Sequence, residues 1–230
     1  MRFITQLPKL CHLCGLTIER SLGHNLWCHH CQPLFNFHQH RCQQCGLTFE
    51  SSASICGECL KTPPPWDKMV CLGDYQHPLS HFIKRIKNNK QPSMVKPLAQ
   101  MLSRKIDHPA PLLISVPMLF HHEFLRGFNL SEMMANDIAN QFSGSECAHH
   151  IFRKHRHTRV QKNLNREERL HNVRQAFSLK RAPSLKHVAI IDDVVTTGAT
   201  VRHLSELLLE VGVEKIDIYC LCRTPKSSYG

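Results

Sequence analysis

Asp192 and Asp193 stand side by side at the end of an apolar run and lead into Val194-Val195-Thr196-Thr197-Gly198-Ala199-Thr200. Three threonine hydroxyls and one glycine within residues 196–200 allow backbone N–H groups to converge on an anion where a helix opens. Two carboxylates beside such a cradle repel a bare phosphate. They suit the vicinal hydroxyls of a ribose whose 5′-phosphate lies in the turn. The residues therefore point to recognition of a ribose 5-phosphate by Asp192, Asp193, Val195, Thr196, Thr197, Gly198, Ala199 and Thr200. A nucleotide P-loop is excluded, because residues 188–200 contain no GxxxxGK[ST] and no lysine. Taken singly, the carboxylates read as a helix N-cap pair and the threonines as turn formers. Strand, acid pair and Thr-Thr-Gly-x-Thr in conjunction favour the ligand.

A second constellation lies at the front. Cys11, Cys14, Cys28, Cys31, Cys42, Cys45, Cys56 and Cys59 form four C-x-x-C knuckles, leaving only four of the 12 cysteines for the rest of the chain. Each knuckle aims two thiolates at one metal, and two knuckles close a tetrahedral four-cysteine zinc site. The first and third knuckles repeat as Cys11-His12-Leu13-Cys14-Gly15-Leu16 and Cys42-Gln43-Gln44-Cys45-Gly46-Leu47, each with a glycine for the tight turn after the second ligand. The spacing predicts two zinc ribbons in tandem, one on Cys11, Cys14, Cys28 and Cys31, the other on Cys42, Cys45, Cys56 and Cys59, with a cross-braced grouping as the alternative. A disulfide framework needs a secretory context, and the N-terminus shows no long apolar core before a small-residue cleavage site. Four ligands per ion leave no open position, so both zinc ions are expected to be structural.

The elements that must position these groups are legible around them. Val188-Ala189-Ile190-Ile191 is apolar without alternation, which predicts a strand covered on both faces. Val201, Leu204, Leu207, Leu208 and Val211 keep one helical face, and Gly212 supplies its stop. Lys215–Leu221 reads as the next strand, completing a βαβ unit with its crevice at the carboxyl edge. Upstream, 77–102 reads as mostly helical, broken at Pro92 and Pro97, and Leu112–Val116 as a strand. Thr62-Pro63-Pro64-Pro65-Trp66 reads as a stiff linker that divides residues 1–62 from 63–230.

Further segments carry a resemblance: Ser115-Val116-Pro117, Arg126-Gly127-Phe128-Asn129, and the spaced series Arg156, Thr158, Gln161, Arg169, Asn172 and Phe177. With the cysteine-rich front and the 188–200 stretch, which is similar to the phosphoribosyl pyrophosphate (PRPP) motif, the chain resembles the ComF family of competence-associated proteins over nearly its whole length. The resemblance implies an α/β fold, a type I phosphoribosyltransferase-like parallel-sheet domain at 63–230 preceded by a small double zinc-ribbon domain at 1–62. It implies magnesium bound with PRPP, Val116 and Pro117 in a pyrophosphate-binding loop, Arg126 on a phosphate, and Arg156 and Gln161 in a loop that closes over the substrate. On the residues alone, Pro117 is also ordinary strand-ending punctuation, Arg126 an exposed arginine and Asn129 a helix N-cap.

Charge adds a partner class. The net charge is +11, and residues 1–62 hold five Lys/Arg against three Asp/Glu. Eight thiolates and two zinc ions would make that front slightly negative, so attraction to DNA is expected in 63–230. The densest basic stretch, 153–174, sets Arg153, Lys154, Arg156 and Arg159 at its start, and these are the candidate contacts for single-stranded DNA. Phe82, Phe120, Phe124 and Phe128 accompany basic segments and can stack on bases, although aromatics at this density usually belong to a core.

No apolar run is long enough for a bilayer, so a soluble cytoplasmic protein is expected, with at most peripheral contact to a DNA-import machine. Two functions follow from the resemblance. One is a PRPP-binding protein that handles incoming single-stranded DNA during natural transformation. The other is an active phosphoribosyltransferase whose acceptor the sequence does not name.

Overall fold

The computed structural model describes residues 8–19, 22, 24–35, 37, 39–155 and 176–225. In chain order the elements are α1 (Gly57–Lys61), β1 (Lys68–Asp74), α2 (Leu79–Asn88), α3 (Val95–Ser103), β2 (Leu112–Ser115), α4 (Phe120–Arg126), α5 (Leu130–Ala139), β3 (Glu146–Ala148), β4 (Phe152–Lys154), β5 (Phe177–Leu179), β6 (His187–Val195), α6 (Ala199–Glu210) and β7 (Lys215–Arg223). Five strands form one parallel sheet in the order β1-β7-β6-β2-β3, and β4 with β5 makes a separate antiparallel hairpin.

The sheet is covered on both faces, as the unbroken apolar run in β6 requires. Strand alternation sends Ala189, Ile191, Tyr219 and Leu221 into one core with Leu79, Phe82, Ile83, Ile86, Leu98, Leu102 and Met134. The opposite faces of the same strands send Val188, Ile190, Ile216 and Ile218 into a second core with Val201, Leu204, Leu208, Phe152 and Phe177. One layer is therefore α2, α3 and α5; the other is α6 with the β4–β5 hairpin. The predicted break at Pro92 is present as a short 3-10 turn, Pro92–Met94. Pro97 breaks nothing, because it lies in the first turn of α3, where a helix needs no N–H donor.

From β2 the chain moves outward to β3, and from β6 it moves the other way to β7. The order thus reverses between β2 and β6, and in an open parallel sheet the crevice outside the carboxyl ends of such a pair is where ligands bind. Pro117 and the 195–200 turn both follow directly from that edge.

The cysteine-rich front is not held apart. Trp27 is fully buried, stacks on Phe35 at 3.8 Å between centroids and meets Phe82 of α2 at 5.5 Å. Cys11, Ile18, Leu26, Trp27 and Phe35 join the same core as α2 and α3. The third knuckle covers the sheet's edge: Met69 N of β1 donates to Gln43 O at 2.7 Å, which occupies a donor that an edge strand otherwise exposes. Arg41 joins the end of β1 through Asp74 at 2.7 Å. Trp66, read from the sequence as linker, is buried, and its indole N–H donates to Gln44 O at 2.6 Å. An isolated Pro-Pro-Pro-Trp gave no sign of that partner, which lies 22 residues upstream.

Candidate functional site

The first and third knuckles are built alike. Cys11 N donates to Leu16 O at 2.7 Å and Gly15 N to Cys11 O at 2.9 Å; Cys42 N donates to Leu47 O and Gly46 N to Cys42 O, both at 2.9 Å. Gly15 and Gly46 take φ of 77° and 71°, the left-handed turn for which glycine is suited. The ligand atoms of Cys11, Cys14, Cys28 and Cys31 lie within 4.8 Å of one another, as do those of Cys42, Cys45, Cys56 and Cys59. Sγ separations are 3.8 Å for Cys11–Cys31, 3.5 Å for Cys14–Cys28 and 3.7 Å for Cys45–Cys56. A tetrahedron with Zn–S bonds of about 2.3 Å has edges of about 3.8 Å, whereas a disulfide needs about 2.0 Å. Burial and neighbouring thiols push Cys31 and Cys45 up, while backbone N–H donors hold Cys11 and Cys42 down. The two quartets can each hold a zinc ion, and their grouping is tandem rather than cross-braced.

At the other constellation, Asp192 and Asp193 lie within β6 rather than in the turn that follows. Lys87 of α2 reaches Asp193 with Nζ 2.7 Å from Oδ2 and 2.8 Å from Oδ1. Asp192 Oδ1 accepts from Asp193 N at 2.9 Å and from Ser131 Oγ at 3.5 Å. Burial and the Asp193 carboxylate push Asp192 up to about 7, against the opposing pull of Lys87 and Lys154. The acid pair is thus unequal: one carboxylate is held by a lysine, the other is poised to give up a proton near neutrality.

The turn beyond it is pre-shaped. Gly198 takes φ 80° as the N-cap of α6. Val195 and Gly198 are buried while Thr196 and Thr197 are exposed, with Ala199 and Thr200 half-buried at the start of the helix. Ala199 N donates to Thr197 Oγ1 at 3.3 Å. Arg223, at the end of β7, is buried and donates through Nη1 to Val195 O at 3.0 Å and to Thr196 O.

Across the switch point, Val116 N extends the ladder to Ile191 O at 2.9 Å. Asn129 is the N-cap of α5, its Oδ1 accepting from Ser131 N at 3.1 Å while its Nδ2 donates to Val116 O at 3.2 Å. Val116 and Pro117 therefore stand beside the acid pair at the same sheet edge. Arg126 does not join them; it ends α4 with Nη1 3.3 Å from Met118 Sδ. A cavity of about 680 Å³ opens from Ser115 and Pro117 toward Phe120, His149, His150, Arg153, Lys154 and His155. Lys154 is half-buried and lies over the Phe177 ring at 4.9 Å, with burial lowering its pKa against the opposing charge of Asp192, while Arg153 is exposed. Arg156, Arg159 and Gln161 fall outside the described residues.

Of the four phenylalanines, Phe82 is in the core and Phe128 packs against it, but Phe120 and Phe124 are 82% and 78% exposed. Lys87, Ser131 and Arg223 were not foreseen as site residues. Lys87 follows the apolar stripe of α2 directly, which is the one local hint; Arg223 reaches the turn only through the pairing of β7 with β6.

Residues 129–229 match the phosphoribosyl transferase domain family. The chain is 33% identical over 226 residues to the DNA utilization protein YhgH of Shigella flexneri, covering 95% of this chain and 98% of that one. It is 34% identical over 193 residues to Competence protein F of Haemophilus influenzae, covering 79% and 84%. The chain belongs to the ComF family. The more distant Competence protein ComFC of Streptococcus pneumoniae is 25% identical over 230 residues, covering 93% and 99%. This ComF-family chain is a competence-related, phosphoribosyltransferase-like protein whose parallel sheet carries two four-cysteine clusters, consistent with zinc ribbons, at its front. No helix among the described residues is long and apolar enough to cross a membrane.

Proposed function

We propose that this ComF-family protein binds PRPP with magnesium at the β2–β6 edge and handles incoming single-stranded DNA in the cytoplasm after uptake. The observation that carries the reading is the juxtaposition, at the topological switch point, of an acid pair and a left-handed, glycine-capped turn opening a helix. Asp192 and Asp193 accept from the ribose hydroxyls, and their oxygen donors suit a hard cation such as magnesium. The N–H groups around 196–200 receive the 5′-phosphate. Val116 and Pro117 flank the pyrophosphate, and Lys154 offers it a cation. Any contact with the DNA-import machinery is peripheral in this reading.

Titrating PRPP with and without single-stranded DNA while following pyrophosphate release tests the reading. Binding without release supports a ligand-sensing DNA handler, and release that depends on an added acceptor supports an enzyme. The phosphoribosyltransferase domain match favours keeping the second arm. Absence of PRPP binding in zinc-loaded protein overturns both.

The raised Asp192 gives a pH signature. Its carboxyl titrates near 7, and hydroxyl donors and magnesium both select the carboxylate. Affinity for magnesium-PRPP should therefore fall about tenfold per pH unit below 7 and level off above it. Calorimetry at pH 6.5 in buffers of different ionisation enthalpy should show a proton released on binding. Asp192→Asn should erase that release.

For DNA, the supporting observation is that α4 leaves Phe120 and Phe124 one turn apart and exposed, with Phe120 on the cavity that Arg153, Lys154 and His155 also line. Aromatic faces beside cations are how single strands are held without sequence preference. Changing Arg153, Lys154, Arg156 and Arg159 to alanine should weaken binding and flatten the log-affinity against log-salt slope by about 0.7 per lost contact. Phe120→Ala with Phe124→Ala should weaken binding at every salt concentration without changing that slope. Unaltered anisotropy titrations in both variants would place the strand elsewhere.

A further inference from the structure

We propose that Arg223 is a positioning residue that ties the phosphate turn to the second cysteine quartet, so that the metal state of Cys42, Cys45, Cys56 and Cys59 sets the order of residues 195–198. This rests on the reading of that turn as the PRPP phosphate cradle.

Arg223 is buried and its guanidinium is used in two directions. Nε donates to the carbonyl of Cys45, a residue of the second quartet, at 2.9 Å. Nη1 donates to Val195 O at 3.0 Å and to Thr196 O. A peptide unit is planar and trans, so a carbonyl pinned on one side aims the following N–H to the other. Holding the carbonyls of Val195 and Thr196 thus turns the N–H groups of Thr196 and Thr197 away from Arg223. A rigid guanidinium fork can hold both ends at once, which a lysine ammonium on a flexible stem cannot.

A second strut runs parallel to the first. Trp66 donates from Nε1 to Gln44 O at 2.6 Å, inside the same knuckle. Its ring lies against the turn, where a Cβ added to Gly198 would sit 3.6 Å from Cη2, and the Arg202 guanidinium lies 5.6 Å from the ring centroid. Both struts start on adjacent residues of one knuckle, Gln44 and Cys45, and end on both sides of Thr197. The front also gives β1 its edge partner through Gln43. The first quartet makes a different connection: His12 O accepts from Arg85 of α2 at 3.1 Å, and α2 leads to Asp193 rather than to the turn.

A zinc ion with four thiolates carries a formal charge of −2, which favours a buried guanidinium beside it. With the metal lost, the knuckle is no longer closed, and the carbonyls of Gln44 and Cys45 cease to be fixed anchors. The turn then keeps its sequence but loses its pre-organisation, and ligand binding must supply the ordering.

The test uses the full-length, zinc-loaded chain. Backbone order parameters by NMR are measured for Val195, Thr196, Thr197 and Gly198, with zinc content and PRPP affinity measured alongside. In Arg223→Lys, 195–198 should fall from the rigid range of about 0.85 to below about 0.6, with strand 188–191 unchanged and both zinc ions retained. PRPP affinity should drop about tenfold, or about 1.4 kcal/mol. Cys45→Ser should lose the second zinc and loosen the same residues. Cys14→Ser should disturb the first quartet and leave the turn rigid. Trp66→Phe keeps the ring but cuts the donor to Gln44; it should loosen the turn in the same direction and decides the matter if Arg223→Lys does not fold. A turn that stays rigid when the second zinc is lost overturns the proposal, as does a loosened turn with unchanged PRPP affinity. If the wild type does not bind PRPP, the functional reading fails, while the order parameters still decide whether the strut exists.

Discussion

Replacing Asp192 and Asp193 together by asparagine should lower PRPP affinity by a factor of about a hundred to ten thousand while zinc content stays at two. The substitutions preserve shape and remove only charge. Each carboxylate that accepts from a ribose hydroxyl or a magnesium-bound oxygen contributes about 1.5–3 kcal/mol as a charge-assisted bond. Two such losses make about 3–6 kcal/mol. The single variants should differ with pH. Asp192 titrates near 7, so at pH 6 it is already mostly protonated and Asp192→Asn costs little, whereas at pH 8 it costs its full share. Asp193→Asn instead breaks the ion pair with Lys87. Stability moves the other way. A carboxyl raised in the folded state destabilises that state as pH climbs from about 4 through 7, because the unfolded chain ionises first. Asp192→Asn removes that penalty, so the folded protein should be at least as stable at pH 8. Wild-type PRPP affinity in a folded double variant would refute the assignment of the acid pair.

Why the candidate site and its elements are legible in the sequence is a matter of locality. The strand, the acid pair, the turn and the helix are consecutive, and each is written in its own period: an unbroken apolar run in β6, and Val201, Leu204 and Leu208 on one face of α6. The knuckles are equally local, since each is four residues long and a glycine fixes the turn after the first and third. What stayed hidden is what the chain brings from a distance. Lys87 lies 106 residues from Asp193, and Arg223 lies 178 residues from Cys45. No spacing rule connects such positions; only the strand order does.

Other misses have local causes. β1 is an edge strand whose cover comes from the front, and it follows a proline run that reads as linker. β4 and β5 have three residues each and pair across a long stretch of chain, so neither shows a usable alternation. α4 defeats the period test for a more informative reason. Its large apolar residues Phe120, Phe124 and Leu125 face solvent, so the helix has no core stripe to recognise. A segment that breaks the expected pattern at the mouth of a cavity is where the proposed function, rather than packing, would explain the residues.

Removing zinc from the full chain should destabilise far more than the front. Trp27 is fully buried, and with Leu26, Ile18 and Phe35 it is continuous with the core formed by Leu79, Phe82 and Ile83. A front of about 60 residues has too little surface to bury to hold its shape unaided, so chelation under reducing conditions should unfold it. α2 then loses its cover. Emptying the place of one large aromatic costs about 3–5 kcal/mol, and for a chain of this size each kcal/mol lowers Tm by about 2–4 °C. The melting point followed by a probe in the parallel sheet should therefore fall by about 6–20 °C. Zinc-loaded protein should melt in a single transition, with far-ultraviolet circular dichroism and zinc release coinciding. Trp27→Ala should mimic much of the loss while both ions remain bound, because it removes the shared packing but no ligand. Two well-separated transitions, the upper one indifferent to chelation, would mean that the shared core carries no energetic coupling and that the front is a freely folding appendage.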